Sequence, residues 1–237
     1  MAEEALTKII ARSGLCSRRQ AEKLIKEGAV KINGQPAFVG QTATAGKDRI
    51  EVSGKVLKEA PKFIYLKLNK PAGYTCSNRH FPGEKNIFDL LKIKERLFTV
   101  GRLDKDSRGL LLLSNDGQLT LELTHPRYGH EKKYEIQLAS DPENGQKIAK
   151  ELEKGVDIGE GDGVVKAKNA RYLQKGLFII ILSEGKKRQI RRMFSALNLQ
   201  VKDLKRTAIG PLDIGRLKEG FYEELSQEEI NKLRRGD

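Results

Sequence analysis

At 237 residues and 38% hydrophobic content the chain is long enough for one or two domains with a buried core, and 45 Lys and Arg against 32 Asp and Glu leave a formal net charge of +13, which favours polyanionic partners, nucleic acid first. The absence of Trp and an aromatic content of 6% exclude a basic membrane-surface helix with large apolar anchors. No apolar run approaches the roughly 20 residues that span a bilayer, and the opening MAEEALTKII has neither the basic nor the long apolar region of a signal peptide, so a cytoplasmic protein without a membrane partner is expected.

Leu6, Ile9 and Ile10 share one helical face that ends at Ser13-Gly14, and Ala21, Leu24 and Ile25 mark a second helix closed by Gly28. Ser17-Arg18-Arg19-Gln20 predicts a capping box at the second helix start, the hydroxyl serving a free amide and Gln20 reaching back. Arg18 and Arg19 are then held on a rigid turn. Val30-Lys31-Ile32 alternates as a strand, and Asn33-Gly34 predicts a tight hairpin. The segment ALTKIIARSGLCSRRQAEKLIKEGAVKINGQPA resembles the S4 RNA-binding domain, in its Arg-rich second helix and its exit GAVKING, over about residues 4 to 50. That resemblance implies phosphate contacts from Arg12, Arg18, Arg19 and Lys23, which give affinity and orientation but little sequence readout.

Ser53-Gly54 marks another turn, and the polar stretch Lys55 to Lys62, which contains Pro61, reads as a linker. The chain is thereby divided into an N-terminal domain over 1–58 and a larger one over 59–237. The larger one opens on the alternation Ile64, Leu66, Leu68 and turns at Lys70-Pro71-Ala72-Gly73. Helical patterns follow at 86–91, 119–123, 142–154 and 187–197, and strand patterns at 98–103, 109–114, 133–138, 166–172 and 177–182. Their irregular mixing predicts an α+β fold with a large mixed or antiparallel sheet and flanking helices.

Within GRLDKDSRGLLLLSND, Asp104 sits in a turn crowded with Arg102, Lys105 and Arg108, just ahead of Leu110 to Leu113, a run that reads as a buried strand. The core would anchor its carboxylate, and the neighbouring cations would keep it ionised. Tyr134 shares a strand face with Ile136 and Leu138 and so points toward the core or toward a cleft cut into it. GKKRQIRRM, from Gly185 to Met193, places a run of cations at a helix start, where the helix dipole favours anions. The placement makes sense if those cations face phosphates or a carboxylate such as Asp104.

In order along the chain, NKPAG, GRLDKDSRGLLLLSNDG, KKYEI and EGKKRQIRRM resemble the RsuA family of bacterial ribosomal RNA pseudouridine synthases, and with the S4-like start the similarity covers nearly the whole sequence. The resemblance implies an S4-like domain followed by a catalytic domain. It also implies a monomer that isomerises uridine in ribosomal RNA, naked or in a pre-ribosomal particle, without metal or other cofactor. Asp104 matches the catalytic aspartate, by attack at C1′ or by elimination. Tyr134 matches the tyrosine that packs on the target base and assists proton removal from C5. Arg191 matches the basic partner of the aspartate, with Arg188 close enough to compete for that role. Arg102 matches an arginine that enters the base stack when the uridine flips out, and Ile190 an apolar neighbour in the same pocket. Flipping a base costs roughly a few kcal/mol, which a stacking Tyr and an intercalating Arg offset in part. Ser107 stands where the family more often has Thr, with the hydroxyl retained. EGKKRQIRRM and GRLDKDSRGLL lean toward members acting on large-subunit 23S rather than 16S rRNA.

The competing reading is a noncatalytic rRNA-binding assembly factor, against which the joint presence of Asp104, Tyr134 and the Arg-rich motif speaks. A metal-dependent nuclease would need clustered carboxylates, but Lys and Arg are interleaved among Asp104, Asp106 and Asp116. Cys16 and Cys76, far apart and without a CxxC, together with only three His, suggest neither a zinc site nor a disulfide.

Overall fold

The computed structural model describes residues 3–236. The chain forms two compact units: one runs up to Ile64 and includes Ile93–Leu97 and Asn115–Gly117, and the other holds the rest from Tyr65 onward.

In the first unit α1 (Leu6–Arg12) and α2 (Arg18–Lys26) bury Leu6, Ile9, Ile10, Ala21 and Ile25. The capping box forms as the sequence predicts: the Gln20 amide donates to Ser17 Oγ at 3.2 Å and the Ser17 amide to Gln20 Oε1 at 3.0 Å. Strands β1 (Val30–Ile32), β2 (Gln35–Pro36), β3 (Ile50–Val52) and β4 (Lys55–Val56) make an antiparallel sheet in the order β2-β1-β3-β4. Asn33 and Gly34 both take positive φ at the hairpin, which lets the turn follow the strand twist. Lys55 and Val56, expected in a linker, instead pair with Glu51 and Val52, because Ser53-Gly54 closes a hairpin and carries the chain back.

The second unit is built on a nine-stranded mixed sheet. Its strands are β5 (Tyr65–Lys70), β6 (Phe98–Val100), β7 (Arg108–Ser114), β8 (Lys132–Leu138), β9 (Asn169–Gln174), β10 (Leu177–Leu182), β11 (Val201–Ile209), β12 (Leu212–Asp213) and β13 (Tyr222–Glu224). The main path runs β9-β10-β8-β11-β7-β5-β13, with β6 on β7 and β12 on β11. Only β7 and β11 run parallel; the other pairs of this sheet are antiparallel. Leu110 to Leu113 are buried on both faces of β7, as a central strand requires.

The sequence reading did not anticipate β11. Its buried residues include Leu204, Arg206, Thr207 and Ile209, so a cation stands where a strand pattern calls for an apolar residue, and an irregularity in its pairing with β8 disturbs the alternation. Gly109 makes the β7–β11 approach possible: at φ +103°, a Cβ there would lie 2.2 Å from the Arg206 carbonyl oxygen.

Helices α3 (Gly117–Thr124), α4 (Gly145–Lys154), α5 (Gln189–Ala196) and α6 (Gln227–Arg235) flank the sheet, and the pattern at 86–91 settles as a 3₁₀ turn, Ile87–Leu90. Ile230 and Leu233 of α6 join Leu110, Leu112, Leu119 and Leu123 in one core. Each such side chain contributes about 1.5–3 kcal/mol by burial. Among the described residues no helix is long and apolar enough to cross a membrane, and no group of His, Cys, Asp and Glu is arranged to hold a metal.

Candidate active site

A cleft of about 690 Å³ opens in the second unit, over the strands where β8 meets β11. Its floor carries Lys132 and Tyr134 from β8 and Leu204 and Arg206 from β11; one wall is the Arg102–Asp104 turn and another the segment that leads into α5. Asp104, Tyr134, Arg102, Arg188 and Ile190, all singled out from sequence, line this one cavity.

The turn that presents Asp104 is fastened from below by a lysine. Lys70, at the end of β5, is fully buried, and its ammonium donates to the carbonyls of Pro71 (3.0 Å), Asp104 (3.1 Å), Lys105 (3.2 Å) and Ser107 (2.6 Å). Two main-chain bonds complete the cradle: the Ser107 amide donates to the Asp104 carbonyl at 3.0 Å and the Gly73 amide to the Lys105 carbonyl at 2.7 Å. Burial pushes the Lys70 ammonium below the usual lysine range, against the pull of Cys76 and of the Asp104 and Asp106 carboxylates. Four carbonyl dipoles are what make a buried cation tolerable here. In the sequence Lys70 reads only as the end of a strand, so its role was not foreseen.

Two of the cations near Asp104 in sequence are engaged elsewhere. Arg108 makes a two-pronged bond to Asp203, with Nη2–Oδ2 at 2.7 Å and Nε–Oδ1 at 2.9 Å, and Lys105 pairs with Glu84 at 2.9 Å. Arg102 is exposed at the cleft edge.

Tyr134 is buried and lies directly opposite Arg206 in the β8–β11 ladder, so both side chains share the cleft face. Arg206 Nε donates to the Leu110 carbonyl at 2.8 Å, and its buried Nη2 has no hydrogen-bond partner among the described residues. Burial and the nearby Arg206 push the Lys132 ammonium below its ordinary value. Lys132 precedes Tyr134 by one strand period, a spacing that could have revealed it; Arg206 carried no such signal.

The cationic segment before α5 is held from within. Gln189, buried, accepts from the Lys186 amide at 2.9 Å and donates to Glu184 at 3.0 Å, while Arg188 takes a left-handed conformation, φ +51°. Arg192 donates to the carbonyls of Ile158 and Gly159 and to Asp162 at 2.6 Å, and Lys186 reaches the Asp162 carbonyl at 2.6 Å. Arg188 pairs with Asp106 at 3.5 Å. Arg191 lies outside the main cleft: it donates to the carbonyls of Val201 (3.0 Å) and Asp106 (3.1 Å) and lines a shallower neighbouring cavity of about 260 Å³. Both arginines are therefore turned to Asp106.

In the first unit Arg18 and Arg19 are exposed at the start of α2 and form no ion pair among the described residues. Lys23 is exposed and sits 3.6 Å from Glu27, whereas Arg12 is committed to Glu4 at 2.9 Å.

The sequence profile of the family described as RNA pseudouridylate synthase matches residues 64–196, and that of the S4 domain residues 6–58. The chain belongs to the RNA pseudouridylate synthase family. Among its relatives are the ribosomal large subunit pseudouridine synthase B of Bacillus subtilis, 38% identical over 98% of this chain and 96% of that one, and the dual-specificity RNA pseudouridine synthase RluF of Escherichia coli, 33% identical over 96% of this chain and 77% of that one. A crystal structure of a pseudouridylate synthase superposes with a TM-score of 0.71 at 33% identity, covering 97% of this chain and 99% of the other. The α+β architecture and the pseudouridine synthase activity expected from the sequence agree with these findings.

Proposed function

We propose that this pseudouridine synthase acts on ribosomal RNA, on 23S in preference to 16S, with Asp104 as nucleophile and the target uridine flipped out of its stack. The observation that carries this reading is the convergence of Asp104 and Tyr134, from different strands and turns, on one cation-lined cleft. Asp104 is presented at the cleft wall by a turn anchored through its main chain, which leaves the carboxylate available to the sugar. Tyr134 offers a buried ring as a platform for the base, Ile190 lines the same cleft, and the exposed Arg102 is placed to fill the gap in the RNA stack. Arg191 supports the site from the Asp106 carbonyl, and Arg188 through the Asp106 carboxylate.

Residues 1–58 are assigned to RNA binding, led by Arg18 and Arg19 with Lys23 and Arg12 beside them, and residues 59–237 to catalysis. The preference for 23S is supported by the large-subunit relative at 38% identity. The enzyme works as a cytoplasmic monomer without cofactor, on rRNA or a pre-ribosomal particle.

The test is carbodiimide mapping of pseudouridine in 23S and 16S transcripts, and in ribosomal precursor particles, after incubation with the enzyme in excess EDTA. A single new site in 23S RNA is expected; modification confined to 16S would reverse the subunit assignment. Tight binding without modification of any of these RNAs would favour the noncatalytic assembly factor.

A further inference from the structure

Of the seven cations that line the cleft, three have an acidic partner and two more, Arg102 and Lys187, are exposed to solvent. Lys105 pairs with Glu84 at 2.9 Å, Arg188 with Asp106 at 3.5 Å and Lys186 with Asp162 at 3.8 Å. Lys132 and Arg206 are different: among the described residues neither has a carboxylate, and Arg206 is 4% exposed with a buried Nη2 that bonds to nothing. They lie diagonally across the β8–β11 ladder on the floor, within electrostatic reach of each other. Lys132 is in register with Leu182 and Ile209, and Arg206 with Tyr134, so the two charges are set into an otherwise apolar surface. Two like charges in low dielectric repel, and burial already disfavours the charged form of Lys132. A fold that tolerates such a pair in an open cleft is prepared for an anion there.

Resting on the synthase reading above, we propose that Lys132 and Arg206 form the seat that holds the uracil ring, through its carbonyl oxygens, while the ring is detached from ribose and negatively charged. In the proposed reaction the N1–C1′ bond breaks and its electron pair stays on uracil. This is so whether Asp104 bonds to C1′ or elimination opens the sugar. The ring turns and C5 bonds to C1′, which releases the Asp104 carboxylate or restores the eliminated bond. The C5 proton leaves and N1 gains one, so product and substrate are isomers with no net redox change. The anion exists only between the two bond changes, so donors placed for it act on the rate more than on substrate affinity. A backbone phosphate fits the floor less well: Lys187 and Arg188 stand exposed at the rim, whereas Tyr134, Leu182 and Ile209 around the seat match a ring.

The experiment compares single-turnover isomerisation and RNA dissociation constants for wild type, Lys132→Met, Lys132→Arg and Arg206→Met, with thermal melts of each. Loss of one such donor should slow the Lys132→Met rate by about 100-fold, leave RNA affinity within about threefold, and be partly rescued in Lys132→Arg. Arg206→Met also removes the bond to Leu110 and is read only if its melt is intact; Lys132→Met decides the matter regardless. A wild-type rate in Lys132→Met overturns the seat, and so does a loss of RNA affinity at unchanged rate, which would make the pair a phosphate site. Absence of pseudouridine with wild type would overturn the synthase reading itself, and the seat with it.

Discussion

Replacing Lys70 with Met keeps the length and apolar stem of the side chain and deletes the ammonium under the Asp104 turn. Four carbonyls lose that donor, although those of Asp104 and Lys105 keep the amides of Ser107 and Gly73. Hydrogen bonds to a charged group contribute about 1.5–3 kcal/mol each, while removal of a buried ammonium returns part of its desolvation cost. With half of the acceptors still served, the net destabilisation expected is about 2–4 kcal/mol. In a protein of this size that lowers the thermal midpoint by roughly 10 °C. Function should suffer more than stability, since misplacing a reacting group by about 1 Å costs on the order of 100-fold in rate. Circular dichroism melts and single-turnover assays below the variant's midpoint measure the two effects separately. A Lys70→Met protein that melts and turns over like wild type would refute the claim that this ammonium holds the turn.

Gly109→Ala should cost more than about 3 kcal/mol, because its Cβ meets Arg206 main-chain atoms and its φ is left-handed; an unchanged urea midpoint would contradict the packing described for β7 and β11. Arg18→Ala with Arg19→Ala should weaken RNA binding and flatten its salt dependence by roughly one unit of slope per lost phosphate contact, and an unaltered slope would move the RNA surface elsewhere. Glu229 is hydrogen-bonded by the Ser226 amide and by Lys67, which outweigh burial and hold its carboxyl below the ordinary value of 4.5. The unfolded chain then binds more protons in that range, so this stabilisation is complete above about pH 4.5 and is lost as pH falls through the folded value. Acid melts of Glu229→Gln should lack that part of the pH dependence; superimposable profiles would show that the Lys67–Glu229 contact is not formed in solution.

The parts of the fold that local chemistry specifies were legible in the sequence. Ser17 and Gln20 announce the start of α2, Asn33-Gly34 its hairpin, and the leucines of β7 a strand buried on both sides. Asp104 and Tyr134 were legible because a turn before an apolar run and a strand period fix where each side chain faces. What escaped depends on tertiary partners. Strand β11 hides because Arg206 occupies an apolar position, and Lys70 hides because three of its four acceptors lie on the Asp104–Ser107 turn, which only folding brings to it. Helix α6 was missed for a lesser reason: Ser226 and Glu229 carry the same capping signature as Ser17 and Gln20, inside a stretch rich in Glu with few apolar residues to mark a helical face. The sequence alone could not say which way the arginines of RQIRRM turn, and all three, Arg188, Arg191 and Arg192, go to carbonyls and carboxylates of neighbouring loops.

The central claim is that Asp104 performs the chemistry in the cleft. Tritium release from rRNA labelled at C5 of uridine, measured for wild type and Asp104→Asn alongside RNA affinity, tests it most directly. Wild type should release tritium from large-subunit RNA, and the variant should bind with nearly the same affinity and release none. Turnover by Asp104→Asn near the wild-type rate would contradict the assignment.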